Sequence, residues 1–235
     1  MDAKKQYTAI VLAAGSGSRM HSAKPKQYMD LCGYPLVYYS LRAFEDSPVD
    51  DVVLVTGKDD VGFCRTAIVE AYGLKKVRAV VAGGTERYLS VYEGVKAAQG
   101  ADYVLIHDGA RPMLTQQIIA RSMEAVAREQ ACVVGMPVKD TIKVSDGAEY
   151  AARTPDRSRL WAIQTPQSFS RALLLEAYDA MGRADATSVP TDDAMLVEQF
   201  TGQKVKLICG TYENIKVTTP EDLLIAEVFL KKAKK

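Results

Sequence analysis

Five short runs dominated by Val, Ile and Leu recur along the chain, at residues 7–12, 51–55, 77–81, 103–106 and 131–136. They show little of the apolar/polar alternation of a half-exposed strand, so they read as strands buried on both faces. Four stretches of helical length and pattern lie between them, at residues 35–44, 60–72, 87–98 and 115–129. Such alternation predicts right-handed crossovers and a mainly parallel central sheet flanked by helices, a single Rossmann-like α/β domain. In these sheets ligands bind beyond the carboxyl ends of the strands, which points to the loops after Leu12, Val81 and Ile106.

The alternation breaks after Met136. Residues 137–155 are rich in charge and small side chains, and they are too long for an ordinary connection. Residues 138–144 alternate like a strand, Asp146-Gly147 supplies a turn, and residues 149–153 return, which predicts a projecting β-hairpin arm. An exposed edge of this kind docks against something, either a partner subunit or the body as a lid. Helices follow around 170–181 and 191–199, then a strand over 204–208. The last helix opens at Thr219-Pro220-Glu221-Asp222, with Thr219 as N-cap, Pro220 in the first turn and an acid at the third position. The basic tail at 231–235 reads as frayed and solvated.

Bulk properties narrow the function. A chain of 235 residues fits one large domain, and its 48% hydrophobic and 25% charged content is ordinary for a globular protein. A net charge of +1 offers no strong field for a nucleic acid. The four cysteines (Cys32, Cys64, Cys132, Cys209) form no paired motif, and with two histidines they predict reduced, mostly buried thiols rather than a zinc site. No secretion signal opens the chain and no apolar run reaches membrane length, so a cytoplasmic protein with no membrane partner is expected.

The first buried run empties into Ala13-Ala14-Gly15-Ser16-Gly17-Ser18-Arg19-Met20, followed by Lys24-Pro25-Lys26-Gln27. Small residues let backbone N–H groups approach phosphate oxygens, and the cations neutralise the remaining charge. A Walker A loop would need Lys-Ser/Thr after Gly17, and a dinucleotide fingerprint would need glycine where Met20 stands. A polyphosphate cradle of another kind remains. After the third strand, Ala82-Gly83-Gly84-Thr85-Glu86-Arg87 permits a second close backbone approach or simply a tight turn. After the fourth strand, Asp108 in His107-Asp108-Gly109-Ala110-Arg111-Pro112 suits a Mg²⁺ ligand, because Mg²⁺ takes one or two carboxylates plus substrate phosphates. The competing reading of Asp108 is a helix cap.

Lys216 stands alone in the strand-like run 213–218, and taken singly it reads as solvated. His107 suits a structural hydrogen bond, His21 the surface, and Trp161 a core or interface. The chain has no Ser/His/Asp set, no Cys/His pair and no close pair of carboxylates. A nucleophile that is already an anion, such as a phosphate monoester, needs none of them. Displacement at a nucleotide phosphorus relies on positioning, Mg²⁺ and cations, which Arg19, Lys26, Asp108 and Lys216 can supply.

The loop 12–20 with Pro25-Lys26-Gln27 resembles the signature of sugar- and polyol-phosphate nucleotidyltransferases. Together with 107–112, Pro137-Val138-Lys139-Asp140-Thr141-Ile142-Lys143, Asp156-Arg157, Leu160-Trp161, Gln164-Thr165-Pro166-Gln167 and Asn214-Ile215-Lys216-Val217-Thr218, it is similar to the 2-C-methyl-D-erythritol 4-phosphate cytidylyltransferase family. The resemblance runs over nearly the whole chain, 1–235, as one nucleotidyltransferase domain with a dimerisation and substrate arm at about 137–160. It implies transfer of a cytidylyl group from CTP to methylerythritol phosphate with Mg²⁺, releasing pyrophosphate, in non-mevalonate isoprenoid synthesis. It also implies catalytic roles for Arg19, Lys26 and Lys216, and nucleotide binding by Ala13, Ala14, Gly15, Gly17, Gly84, Ser90 and Asp108, with Asp108 on the metal. Arg111, Thr141 and Arg157 would bind the polyol phosphate, the last two reaching across a homodimer built through the arm.

One departure is Gly109, where the family usually carries Ala beside the metal-binding Asp. A ribitol 5-phosphate cytidylyltransferase is the nearest alternative; its loop typically reads Ala-Gly-Gly where this chain has Ala13-Ala14-Gly15, and it usually lacks Lys139-Asp140-Thr141. A catalytically silent nucleotide-binding regulator is the other, opposed by the presence of Arg19, Lys26, Asp108 and Lys216.

Overall fold

The computed structural model describes residues 4–15, 20, 25–184 and 189–233. Its centre is a seven-stranded sheet built from β1 (Tyr7–Ala13), β4 (Asp51–Thr56), β5 (Val77–Ala82), β6 (Tyr103–Asp108), β7 (Ala131–Pro137), β10 (Trp161–Ser170) and β11 (Lys206–Cys209). The order is β11-β7-β10-β6-β1-β4-β5. Small antiparallel pairs are formed by β2 (Asp30–Leu31) with β3 (Tyr34–Pro35) and by β8 (Val144–Ser145) with β9 (Ala151–Arg153). Within the seven-stranded sheet all pairings are parallel except those of β10, which runs antiparallel to both β6 and β7. The helices are α1 (Leu36–Glu45), α2 (Val61–Phe63), α3 (Arg87–Ala97), α4 (Gln116–Glu129), α5 (Arg171–Arg183), α6 (Asp193–Thr201) and α7 (Pro220–Ala233).

Alternation along β1 sorts the core into two layers. Ala9 and Val11 point to one face, where Val37, Leu41 and Phe44 of α1 and Ile118 and Ile119 of α4 cover them. Ile10 points to the other, against Val91 and Val95 of α3, with Leu174 of α5 and Val197 of α6 in the same cluster. Every residue of β6 is buried, as a central strand with helices on both sides requires. Gly94 lets α3 lie close on the sheet, since a Cβ there would come within 2.4 Å of Ile10 Cγ2.

Helix ends follow local chemistry. Thr115 caps α4 by accepting from the Ile118 N–H at 3.3 Å, and Asp192 caps α6 by accepting from Met195 N–H at 2.8 Å. Before α7 the Asp222 carboxylate accepts from the N–H groups of Thr218 and Thr219 at 2.8 and 2.9 Å, the acid half of the expected capping arrangement.

The structure differs from the sequence expectation in four elements. The helix expected over 60–72 is a 3₁₀ turn and α2 followed by a π-helical stretch, Cys64–Glu70, which keeps Cys64 and Ile68 buried. Strand β10 was not anticipated. The run 213–218 is not a strand but an irregular segment pinned to its surroundings. In the arm, only Val144–Ser145 and Ala151–Arg153 pair, whereas 138–143 form no strand and bend at Asp140. Those residues are mostly exposed, so their alternation has no core face to settle against. Cys64 and Cys132 are buried as expected, but Cys32 is half-buried and Cys209 exposed. Among the described residues no helix is long and apolar enough to cross a membrane.

Candidate active site

The loops leaving β1 and β5 meet at the carboxyl edge of the sheet. Gly83 allows the contact, because a Cβ on it would lie 2.6 Å from Ser90 Oγ and 2.8 Å from Ala14 Cβ. Ser90, on α3, accepts from Gly84 N–H at 3.2 Å and lies 3.1 Å from the Glu86 carbonyl, so its hydroxyl holds the glycine turn in shape. Gly17 and Arg19, both expected at the phosphate cradle, lie outside the described residues. The chain is described again from Pro25, and Lys26 donates to the Val217 carbonyl at 3.1 Å.

Asp108 ends β6 with 7% of its surface exposed. Lys216 Nζ reaches its Oδ2 at 2.9 Å, Arg111 Nε lies 3.5 Å from the same oxygen, and Arg87 Nε is 3.7 Å from Oδ1. Burial alone would push this carboxyl up, but Lys216, Arg87 and Arg111 together hold it well below the usual range, as an anion. Besides the bond from Lys26, further contacts fix the segment that carries Lys216. Val217 N–H donates to the Ala110 carbonyl at 2.8 Å, Arg111 donates to the Asn214 carbonyl at 2.8 Å, and Asn214 Nδ2 donates to the Thr165 carbonyl at 2.9 Å.

His107 faces away from this cluster and is fully buried. Its Nε2 is 3.3 Å from the Arg111 carbonyl, which can only accept, so that nitrogen carries the proton. Nδ1 then accepts from the Thr165 hydroxyl at 2.9 Å, and the Thr165 oxygen accepts from the Asp108 N–H at 3.1 Å. Burial lowers the imidazole pKa to about 4, more than Asp108 beside it can offset. The expected structural role of His107 is what the geometry gives.

Two cavities adjoin at Asp108. The larger, about 390 Å³, takes its walls from Ala13, Ala14, Gly15, Gly84 and Ser90 and its cations from Lys26 and Lys216. The smaller, about 160 Å³, is bounded by Arg111, Gln164, Thr165, Gln167, Thr191 and Asp192. Arg87, Asp108 and Lys216 border both. The described residues expected at the nucleotide are therefore together in the larger space, which is of ligand size. Arg111 stands at the second space. Thr141 and Arg157 stand on the exposed arm, where Arg157 Nη1 donates to the Lys139 carbonyl at 2.6 Å, and neither is among the residues lining these cavities.

Sequence reasoning gave no role to Arg87, Asp193 or Gln167, and His107's partner Thr165 was visible only inside a motif. Arg87 grips Asp193 with two bonds, 3.0 and 2.8 Å, and Asp193 is 1% exposed. Gln167 Oε1 accepts from the N–H groups of Asp193 and Ala194, both at 3.0 Å, closing the amino end of α6. The only available signal for Arg87 was its place directly after the glycine turn.

Among the described residues no three His, Cys, Asp or Glu side chains gather into a cation site. Asp108 offers one carboxylate ringed by cations, a donor set that fits Mg²⁺ only when phosphate oxygens complete the coordination.

The match to known proteins covers this whole framework. The family model for 2-C-methyl-D-erythritol 4-phosphate cytidylyltransferase, IspD, matches residues 7–232. A curated relative of that name from Lachnospira eligens is 51% identical over 225 residues, covering 95% of this chain and 99% of its own. A solved structure, 4-diphosphocytidyl-2C-methyl-D-erythritol synthase from Anaerococcus prevotii, is 34% identical with a TM-score of 0.84, covering 97% of this chain and 96% of its own. The Thermus thermophilus 2-C-methyl-D-erythritol 4-phosphate cytidylyltransferase structure is 32% identical with a TM-score of 0.77, covering 96% of this chain and 99% of its own. With Asp108, Lys216 and Lys26 gathered on a mainly parallel sheet and the family model spanning nearly every residue, the chain belongs to the 2-C-methyl-D-erythritol 4-phosphate cytidylyltransferase family of nucleotidyltransferase enzymes.

Proposed function

We propose that this chain transfers the cytidylyl group of CTP to 2-C-methyl-D-erythritol 4-phosphate and releases pyrophosphate. The observation that carries the reading is the Asp108–Lys216 pair, 2.9 Å apart, standing where the two cavities adjoin. The larger cavity takes CTP, with Ala13, Ala14, Gly84 and Ser90 around the nucleoside and Gly15 and Lys26 toward the triphosphate, for which the sequence motif also assigns Gly17 and Arg19. The smaller takes the polyol, whose phosphate oxygen attacks the α-phosphorus. A new P–O bond forms as the bond to the β-phosphate bridging oxygen breaks, and its electron pair leaves with pyrophosphate.

The attacking phosphate has its second pKa near ~6 and arrives largely as a dianion, so no general base is required. Lys216 and Lys26 stabilise the negative charge that builds at the pentacoordinate phosphorus. Asp108 would hold Mg²⁺ against the phosphates, and the cation would supply charge neutralisation there.

Thr141 and Arg157 would reach the polyol phosphate from the arm of a second copy. Their exposure on the arm, away from the cavities of their own chain, supports a homodimer that shares its sites.

The test is pyrophosphate release with Mg²⁺ and CTP, comparing methylerythritol phosphate with ribitol 5-phosphate, and CTP with ATP and UTP. Release with CTP and methylerythritol phosphate, at a kcat/KM well above every other pair, is expected. Preference for ribitol phosphate would transfer the assignment to that substrate, and silence with both would remove the reaction.

A further inference from the structure

Asp108 is approached unevenly. Lys216 and Arg111 both face its Oδ2, at 2.9 and 3.5 Å, while the cation beside Oδ1 is Arg87, with Nε at 3.7 Å. That distance is too long for a hydrogen bond, so Arg87 acts on the carboxylate through charge. Its two terminal nitrogens are committed elsewhere, to both oxygens of Asp193. A bidentate fork fixes a guanidinium in plane and direction, which a single contact would not do.

The anchor is itself anchored. Asp193 is buried in the first turn of α6, and Gln167 of β10 accepts from its N–H and from that of Ala194. Gln167 pairs in the sheet with Ile106, two residues before Asp108. The bracket thus runs from the glycine turn through Arg87, Asp193 and Gln167 back to the strand that carries Asp108. Arg87 also borders both cavities with 30% of its side chain exposed, as a purely internal partner of Asp193 would not.

We infer that Arg87, held by Asp193, is a positioning residue that sets the direction of the Asp108 carboxylate between the nucleotide and polyol spaces. Without it, Lys216 and Arg111 would draw the carboxylate toward themselves and away from the meeting point of the two cavities. The inference rests on the proposed cytidylyl transfer. Wild-type pyrophosphate release tests that reading separately, and only variants compared with an active wild type bear on Arg87.

Truncating Arg87 alone would strand a buried carboxylate, which by itself destabilises a fold. The informative variant replaces both members, Arg87→Met with Asp193→Leu, since a buried ion pair can be exchanged for apolar residues with little loss of stability. The double variant is expected to melt within a few degrees of wild type. Its kcat should fall about 10- to 100-fold, the usual cost of losing a residue that orients a ligand-bearing group, while the KM for CTP stays within about threefold. A folded double variant with kcat within about twofold of wild type would show that Arg87 merely neutralises Asp193, and would overturn the inference. An unchanged kcat with a raised KM for CTP would overturn it too, making Arg87 a binding residue.

Arg87→Lys, which keeps the charge but loses the fork, provides the reading if the double variant does not fold. A drop in kcat of about tenfold at constant KM is expected. Full kcat in that variant would refute the positioning role.

Discussion

Acid should destabilise this fold through one buried ring. His107 is fully enclosed, hydrogen-bonded at both nitrogens in its neutral form, and its pKa falls from 6.5 to about 4 because burial penalises the imidazolium. Between these values the unfolded chain binds a proton that the folded chain refuses, so stability rises with pH across the window and is lost as pH falls from 6.5 toward 4. At about 1.4 kcal/mol per unit, the full window is worth about 3 kcal/mol, and the step from pH 7 to 4.5 about 2 kcal/mol.

The assay is urea unfolding of the wild type and of His107→Gln from pH 7.5 to 4.5. Glutamine can still donate to the Arg111 carbonyl and accept from Thr165, but it cannot titrate. The variant will be less stable at pH 7.5 because the amide fills the ring's space poorly. Its curve should nevertheless be flatter, with wild type losing about 2 kcal/mol more over the range, a midpoint difference on the order of 0.7 M urea. Other groups, including Asp108 with its depressed pKa, titrate in both proteins and cancel. Parallel curves would refute the claim that His107 is neutral and buried in the native state.

Lys216→Ala and Lys26→Ala should each lower kcat on the order of 100-fold, about 3 kcal/mol of transition-state stabilisation, with the KM for CTP little changed. Steady-state pyrophosphate release checks this, and undiminished turnover would exclude the residue concerned. Arg157→Ala should raise the KM for the polyol phosphate about tenfold and leave that for CTP unchanged, since one charge-assisted contact is removed. If the arm serves a second copy, mixing Arg157→Ala and Lys216→Ala chains under conditions that allow exchange, at polyol phosphate well below KM where each alone keeps about a tenth of turnover or less, restores about a quarter of wild-type turnover, from one intact site in each mixed dimer. No recovery would place Arg157 in its own chain's site. Gly94→Ala should lower the melting temperature: helix propensity gains about 1 kcal/mol, but overpacking against a core costs about 1–3 kcal/mol. Its new Cβ would lie 2.4 Å from Ile10 Cγ2 and 3.0 Å from Val55 Cγ2, and a raised melting temperature by calorimetry would contradict that contact.

The parallel strands were readable because their burial on both faces leaves an apolar run with little ambiguity. Strand β10 hid for the opposite reason. Its middle, Gln164-Thr165-Pro166-Gln167, is polar and holds a proline, and the pairing register with β7 shifts between Ile163 and Gln167. Those side chains are satisfied by distant groups, the Thr211 carbonyl, the Asp108 N–H and the amino end of α6, which no local pattern contains. The segment bearing Lys216 misled in a related way, since it is an irregular stretch held by tertiary bonds rather than by a sheet. The family resemblance, more than any local pattern, assigned Lys26, Asp108, Lys216 and Ser90 to the nucleotide site, and the four line one cavity. The Arg87–Asp193 pair was invisible, because an acid beside a helix cap looks like any solvated aspartate. Gly109 has a local explanation: a Cβ there would come within 2.9 Å of the Leu12 carbonyl, so the glycine keeps the end of β6 tight against β1.

Because β10 runs back alongside β7, with Trp161 opposite Pro137, the arm is topologically the loop of one long hairpin. Its two feet stand side by side, joined by the bond from Val138 N–H to the Leu160 carbonyl. An appendage attached in this way can lengthen, shorten or change sequence through descent without altering any crossover of the body. Selection on the acceptor could therefore act on the arm almost independently of selection on the nucleotide site. A chain with residues 139–159 replaced by a short turn would be expected to keep its cooperative melting transition and its affinity for CTP, and loss of either would show that the two parts are not separable.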